Sequence, residues 1–215
     1  IEKLGAKAAI GSVEDVAFLT RAFAGADAVY TMVPPNFAAT AWKEWIGQIG
    51  KNYADAIKAN QIKYVVNLSS VGAHLPDGCG PVSGLYKAEQ ALNTLNEVNI
   101  KHLRPSYFFE NLLANVGLVK QMDIIGSNFG EVNETIVLAD TSDITEAAFE
   151  ELSTLQFSGH SVRYIASDER TSEEIAKIIG AAISKPSLPW VVFTNEQAKA
   201  GMLQAGLPEE ITKNY

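Results

Sequence analysis

Residues 62–73 read IKYVVNLSSVGA. The run Ile62–Leu68 is β-branched and aromatic and reads as a strand. It breaks at a small, polar Ser69-Ser70-Val71-Gly72-Ala73 turn. Upstream, Trp42, Trp45, Ile46, Ile49, Tyr53 and Ile57 recur at three- and four-residue spacing and give one apolar helix face. Before that helix, Ala28–Val33 (AVYTMV) reads as a strand that stops at Pro34-Pro35, because proline cannot donate to a ladder. Further out, Ser12 with Asp15 three residues on predicts an N-cap and a helix to about Ala24, preceded by a short strand Ala6–Ile10.

Downstream, residues 74–82 (HLPDGCGPV) read as a loop. Ser83–Val98 reads as a helix with Ala88, Ala91, Leu92 and Leu95 inward, followed by a strand Ile100–Leu103 closed by Arg104-Pro105. Tyr107–Gln121 reads as helical and aromatic-led, and Ile136–Leu138 as a short strand. Asp143 with Glu146 predicts a capped helix to Leu155, and Val162–Ile165 a strand. Thr171 with Glu174 and Thr194 with Gln197 are two more capping boxes. They open helices to about Ser184 and Ala205, with a strand Trp190–Phe193 between them.

Strands alternating with helices of this length mean βαβ units and a mostly parallel sheet, an α/β fold. Parallel sheets take ligands beyond the carboxyl ends of their strands. Function is therefore expected just after Val33, Leu68 and Leu103.

The composition narrows the classes. The chain has 215 residues, 47% hydrophobic and 20% charged, an ordinary globular balance that needs no staples. One cysteine, Cys79, excludes a disulfide framework and a multi-cysteine metal cluster. A net charge of −8 argues against nucleic-acid and anionic-membrane partners. His74, His102 and His160 show no metal-ligand spacing. No G-x-S-x-G elbow is present, so hydrolase readings are weak. With one thiol and no export signal in IEKLGAKAAIGS, a cytoplasmic setting is expected.

Each strand end carries a functional and a bland reading. Thr31-Met32-Val33-Pro34 either borders a flat ligand or merely stops a strand. The hydroxyls of Ser69 and Ser70 either hydrogen-bond a ribose, carboxamide or carbonyl, or satisfy loose backbone groups. Lys87, in the first turn of the next helix, either reaches the strand ends or lies on a solvated face. Glu89 with Asn93 at i,i+4 reads as surface pairing, and His102 as a satisfied core residue. Of the consecutive Tyr107, Phe108 and Phe109, either at least one faces the ligand crevice as a wall for a planar ligand, or two of the three are simply core.

The segments GAKAAIGSVEDVAFLTRAFAGADAVYTMVPP (5–35), VVNLSSVGA (65–73), KAEQALNTLNEVNIKHLRPSYFFENL (87–112), LADTSDITEAAFEEL (138–152), ERTSEEIAKIIGAAISKP (169–186) and EQAKAGMLQAGLPEEI (196–211) carry a resemblance. In this order the sequence resembles the NmrA-like branch of the atypical short-chain dehydrogenases/reductases across nearly the whole chain. The resemblance implies a doubly wound Rossmann-type sheet over 1–130 that binds NADP or NAD, NADP slightly favoured, and a smaller substrate-side α/β region over 131–215, intimately packed with the first. It implies cofactor contacts at Thr31, Met32, Val33, Pro34, Ser69, Ser70, Lys87, Pro105, Ser106, Tyr107 and Phe108. Among these, Ser69, Lys87 and Tyr107 are the candidate catalytic residues. Asn111 falls on a position usually held by a structural Asn.

The activity implied is reduction of a small planar acceptor, such as a quinone or azo compound. The branch also contains non-catalytic NAD(P) sensors, for which a regulatory protein or a second copy is the expected partner. The sequence departs from ordinary short-chain reductases, which use Tyr-x₃-Lys: Ser83 stands four before Lys87. Ser12 stands where the family often has Asp. The family opens with a strand and a G-x-x-G-x-x-G turn that do not stand in these residues, so roughly 30 residues or more are expected before Ile1, and others after Tyr215.

Overall fold

The structure is a computed structural model that describes residues 2–131 and 134–214, so the termini Ile1 and Tyr215 lie outside the described residues. In chain order the elements are α1 (Val16–Ala22), β1 (Ala28–Met32), α2 (Trp42–Ala59), β2 (Tyr64–Leu68), α3 (Val82–Leu92), β3 (Asn99–Pro105) and β4 (Tyr107–Phe108). Then come α4 (Val116–Met122), β5 (Ile125–Ser127), β6 (Thr135–Ala139), α5 (Thr141–Thr154), β7 (His160–Ile165), β8 (Asp168–Thr171), α6 (Ser172–Ala182), β9 (Trp190–Val192), α7 (Asn195–Gln204) and α8 (Glu209–Thr212). No helix among the described residues is long and apolar enough to cross a membrane.

The chain divides into two compact units. One is Ile1–Arg104 with Ala148–Arg163, the other Pro105–Ala147 with Tyr164–Tyr215. The expected single cut after residue 130 gives way to a boundary at Arg104/Pro105. The chain returns to the first unit through the second half of α5 in order to add β7 beside β3.

The first unit is built on a four-stranded sheet of order β1-β2-β3-β7, with β1, β2 and β3 mutually parallel. Strand alternation puts Val29, Val65 and Ile100, which are in register, on one face. That face is covered by α2 and α3 through Ile49, Tyr53, Ile57 and Leu92. Gly50 lets the two helices close, since a Cβ there would lie 2.4 Å from the Cα of Ala88. The opposite face receives the end of α5 and the segment after it: Glu151 pairs with Lys101, and Phe157 stands edge-on to Tyr64 at 5.6 Å. Helices on both faces of a parallel sheet make the doubly wound class the sequence predicts.

The second unit holds a three-stranded sheet, β4-β6-β8, and a two-stranded one, β5-β9. Its core gathers Ile125, Ile136, Leu138, Ile175, Ala176 and Leu188. Both capping boxes are present: Thr171 with Glu174 opens α6, and Thr194 with Gln197 opens α7.

Several local expectations change. Residues 6–10 are exposed and form no strand; β1 is an end strand of its sheet, and a strand needs a ladder partner. The cap of α1 is Asp15, which accepts from the Phe18 N–H, while Ser12 only turns the chain toward Glu14. Helix α3 ends at Leu92, short of Val98. Tyr107–Phe108 pairs with Leu138–Ala139 as a strand, and a 3-10 turn over Phe109–Asn115 precedes α4, so 107–121 is not one helix. Adjacent aromatics favour the pleated conformation there. Asp140, one residue before α5, accepts from the Ser142 N–H; Asp143 instead accepts from the Ser167 hydroxyl.

Candidate functional site

The carboxyl ends of β1, β2 and β3 carry two polar rows on the face that α3 covers. The first row is in register: Thr31 lies opposite Asn67, and Asn67 opposite His102. Thr31 Oγ1 donates to Asn67 Oδ1 at 2.9 Å, and Asn67 Nδ2 donates to His102 Nδ1 at 3.1 Å. His102 Nε2–H then donates to Asn93 Oδ1 at 3.0 Å, which fixes the neutral tautomer. Burial pushes the His102 imidazole down to about 4; the Glu89 carboxylate works against that shift, and the Arg104 guanidinium adds to it.

The second row lies two residues further along the chain than Asn67 and His102, at Ser69 and Arg104, with Glu89 of α3 between them. Ser69 Oγ donates to Glu89 Oε1 at 2.5 Å. Arg104 Nε donates to the same oxygen at 3.0 Å, and Arg104 Nη2 to Glu89 Oε2 at 2.6 Å. Glu89 of α3 and Asn93, the residue that caps its C-terminal end, thus both face the sheet; Glu89 is 1% exposed, and the surface pairing expected of it is replaced by a buried ion pair. An acidic residue at helical spacing reads as surface unless its partner, Arg104, is recognised on the neighbouring strand. That pairing is a non-local fact which the sequence alone does not carry.

The other expected contacts of this unit sit as follows. Thr31 is buried in the first row, Met32 is exposed, and Val33 packs against the core. Pro34 is half-buried. The Tyr53 hydroxyl donates to the Met32 carbonyl at 2.8 Å, and burial pushes that phenol up to about 12, so it stays a donor. Ser69 is buried, and its backbone N–H extends the ladder to the Leu103 carbonyl. Ser70 is half-buried, with its hydroxyl on the Val71 carbonyl.

Lys87 lies in the second turn of α3, not the first. Its stem packs on Gly47, and its ammonium meets Glu44 Oε1 at 2.6 Å. Ser83, four residues before it, is 1% exposed. A shallow depression of about 470 Å³ lies at the start of α2, lined by Ala38, Ala39, Thr40, Ala41, Glu44 and Trp45 among others. His74 is exposed.

In the second unit, Pro105 is buried. Ser106 donates through both its N–H and its hydroxyl to the Ile165 carbonyl, at 3.0 and 3.1 Å. Tyr107 and Phe109 pack against the core, Tyr107 edge-on to Phe129 at 5.3 Å; Phe108, between them in sequence, is half-buried. The structural asparagine is Asn115, which is buried and accepts from the Gly126 N–H, while Asn111 is exposed. No group of acidic, histidine and cysteine side chains that would hold a metal occurs among the described residues.

No protein-family model matches the chain, and neither does any curated protein. Solved structures do match. One is an NADPH-dependent quinone oxidoreductase from Escherichia coli complexed with NADPH, at TM-score 0.80 and 19% identity over 99% of this chain and 75% of that one. Another is the Citrobacter sp. triphenylmethane reductase complexed with NADP(H), at TM-score 0.79 and 17% identity over 99% and 76%. A nucleoside-diphosphate-sugar epimerase from Staphylococcus aureus matches at TM-score 0.78 and 13% identity over 95% and 71%. At these identities the likeness is one of fold: the chain has the Rossmann-type α/β architecture that these reductase and epimerase structures share.

Proposed function

We propose that the protein is an NAD(P)H-dependent reductase that acts on a small planar acceptor such as a quinone or azo compound, with NADP favoured over NAD. The observation that carries the reading is the pair of polar rows at the carboxyl ends of β1, β2 and β3, the end at which parallel sheets take their ligands. Two structures of the same fold, a quinone oxidoreductase and a dye reductase, hold NADPH or NADP(H) and support the cofactor class.

The strand ends fit the nicotinamide–ribose half of such a cofactor: half-buried Ser70 offers a hydroxyl, and Val33 and Pro34 offer a small apolar edge. No G-x-x-G-x-x-G turn stands in the sequence, so no residue of this chain is assigned to the pyrophosphate. Bound NAD(P)H supplies a hydride. The chain's own residues bind and orient. Ser69 cannot deliver a proton, because its hydrogen is given to Glu89, and the Lys87 ammonium is held by Glu44. Tyr107 is retained as the proposed donor, with solvent as the other source; Pro105, Ser106 and Phe108 are retained as proposed cofactor contacts.

A second reading is a non-catalytic NAD(P) sensor that signals to a regulatory protein. The buried Ser83 in place of a catalytic tyrosine favours it. The test is NADPH titration of the natural full-length protein, followed by its oxidation over a panel of quinones and azo dyes. Consumption of NADPH supports the reductase. Tight binding without turnover, together with a partner affinity that follows the NADPH/NADP ratio, assigns the sensor. Absence of binding overturns both.

A further inference from the structure

At the end of β2, three hydrogen-bond donors converge on one carboxylate. Glu89 receives Ser69 Oγ at 2.5 Å, Arg104 Nε at 3.0 Å and Arg104 Nη2 at 2.6 Å, and it is 1% exposed. A carboxylate gripped bidentately by a guanidinium is ionised and only accepts. The hydrogen of the Ser69 hydroxyl is therefore committed to Glu89. The Ser69 N–H is committed as well, to the Leu103 carbonyl at 2.8 Å. What Ser69 keeps is the acceptor capacity of its oxygen, at the last position before the half-buried Ser70.

We propose that Glu89 and Arg104 are positioning residues that hold Ser69 as a hydrogen-bond acceptor at the ligand end of the sheet, so that the group met there is a donor such as a ribose hydroxyl or a carboxamide N–H. The proposal rests on the nicotinamide-nucleotide reading above and adds the polarity of one contact to it. Arg104 neutralises the carboxylate and fixes its plane. Glu89 in turn fixes which way the hydroxyl points. Neither touches the ligand.

Isothermal titration of the natural full-length protein with NADPH tests this, with melting temperatures measured alongside. Ser69→Cys keeps the size and the donor to Glu89 but replaces the oxygen by a weak acceptor. Affinity is expected to fall by about 5- to 10-fold at an unchanged melting temperature. Glu89→Gln leaves one acceptor oxygen for three donors and sets its amide N–H against Arg104 whichever way it turns, so the Ser69 hydroxyl loses its fixed direction; a fall of similar size is expected, with a lower melting temperature. The double variant is expected to bind no more weakly than either single one, a coupling that a purely structural role for Glu89 does not produce. Wild-type binding with an affinity that Ser69→Cys leaves within about 2-fold, or additive losses in the double variant, overturns this proposal alone. A wild type that binds no NADPH overturns the nucleotide reading and this proposal with it.

Discussion

On one face of the four-stranded sheet, two rows of side chains lie one pleat repeat apart and obey opposite chemistry. Val29, Val65 and Ile100 form an in-register apolar row, and Thr31, Asn67 and His102 form the next one along the same three strands. Both rows are buried beneath helices. The apolar row needs only area and shape. The polar row holds because each group finds a partner: Thr31 to Asn67, Asn67 to His102, His102 to Asn93, with Ser69, Glu89 and Arg104 closing the sequence beyond it. Burial alone therefore does not distinguish the two rows. Buried polar groups that are satisfied only by one another do, because such a network has to be complete to be tolerated.

The largest difference between the two rows is expected at the ion pair. Glu89→Ala strands the Arg104 guanidinium, 8% exposed, without its carboxylate. The expected cost is about 3–5 kcal/mol in urea denaturation. Trimming the apolar row by Ile100→Val is expected to cost about 0.5–1.5 kcal/mol. If the two variants cost the same, the polar end is not held as a unit.

Acid is the next largest probe. The His102 imidazole titrates near 4 in the fold against 6.5 in the unfolded chain. Between these values the unfolded state binds the proton and the folded state does not. Stability is therefore full above about pH 6.5, falls as pH drops toward 4, and levels below it; the expected loss is about 3 kcal/mol. Urea titrations at stepped pH check this, and His102→Gln is expected to flatten that part of the profile. A wild-type profile without the slope would mean that the imidazole is charged in the fold, and the Asn67–His102 bond would then have to reverse its donor.

How far the sequence shows these rows depends on the distance of the partners. The βαβ alternation, the apolar face of α2 from Trp42 to Ile57 and the capping boxes at Thr171 and Thr194 are all local patterns, and the structure has each of them. His102 was legible as a satisfied core histidine. Glu89 was not legible as its neighbour's clamp, because an acidic residue four before Asn93 looks like surface until β3 delivers Arg104 against it. Strands β5 and β8 also escape the pattern. Ile125–Ser127 is three residues long, and Asp168–Thr171 is polar throughout, held only by its antiparallel pairing with β6. Lys87 reads as a strand-end residue from a place in the first turn of its helix, yet α3 starts at Val82 and the second turn it occupies points it at α2.

Within the first polar row, Thr31→Val separates volume from hydrogen bonding. Valine keeps the shape and the strand preference but removes the donor to Asn67 Oδ1, leaving a buried amide oxygen short of its partner. The expected loss is about 1–3 kcal/mol by urea denaturation. Placing a valine at Thr31 thus extends the apolar row into the polar one and tests whether the chain of hydrogen bonds, rather than volume, decides that position. A loss below the Ile100→Val value would show that Asn67 finds another donor.

The smallest effect is expected where the charge pair is exposed. Lys87 and Glu44 meet at 2.6 Å, about as close as Arg104 and Glu89, but their side chains are 42% and 65% exposed. Water already solvates both charges, so Lys87→Met is expected to cost no more than about 1 kcal/mol, and less in high salt. The measurement is urea denaturation of wild type, Lys87→Met, Glu44→Gln and the double variant at low and high salt. The methionine keeps the stem that packs on Gly47, so the cycle isolates the ammonium. A coupling as large as that of Glu89 with Arg104 would mean that distance rather than burial sets the strength of an ion pair here, and the contrast between the exposed helix face and the strand ends would fail. A coupling near zero leaves the Lys87 ammonium free to exchange Glu44 for an anionic ligand at little cost to the fold.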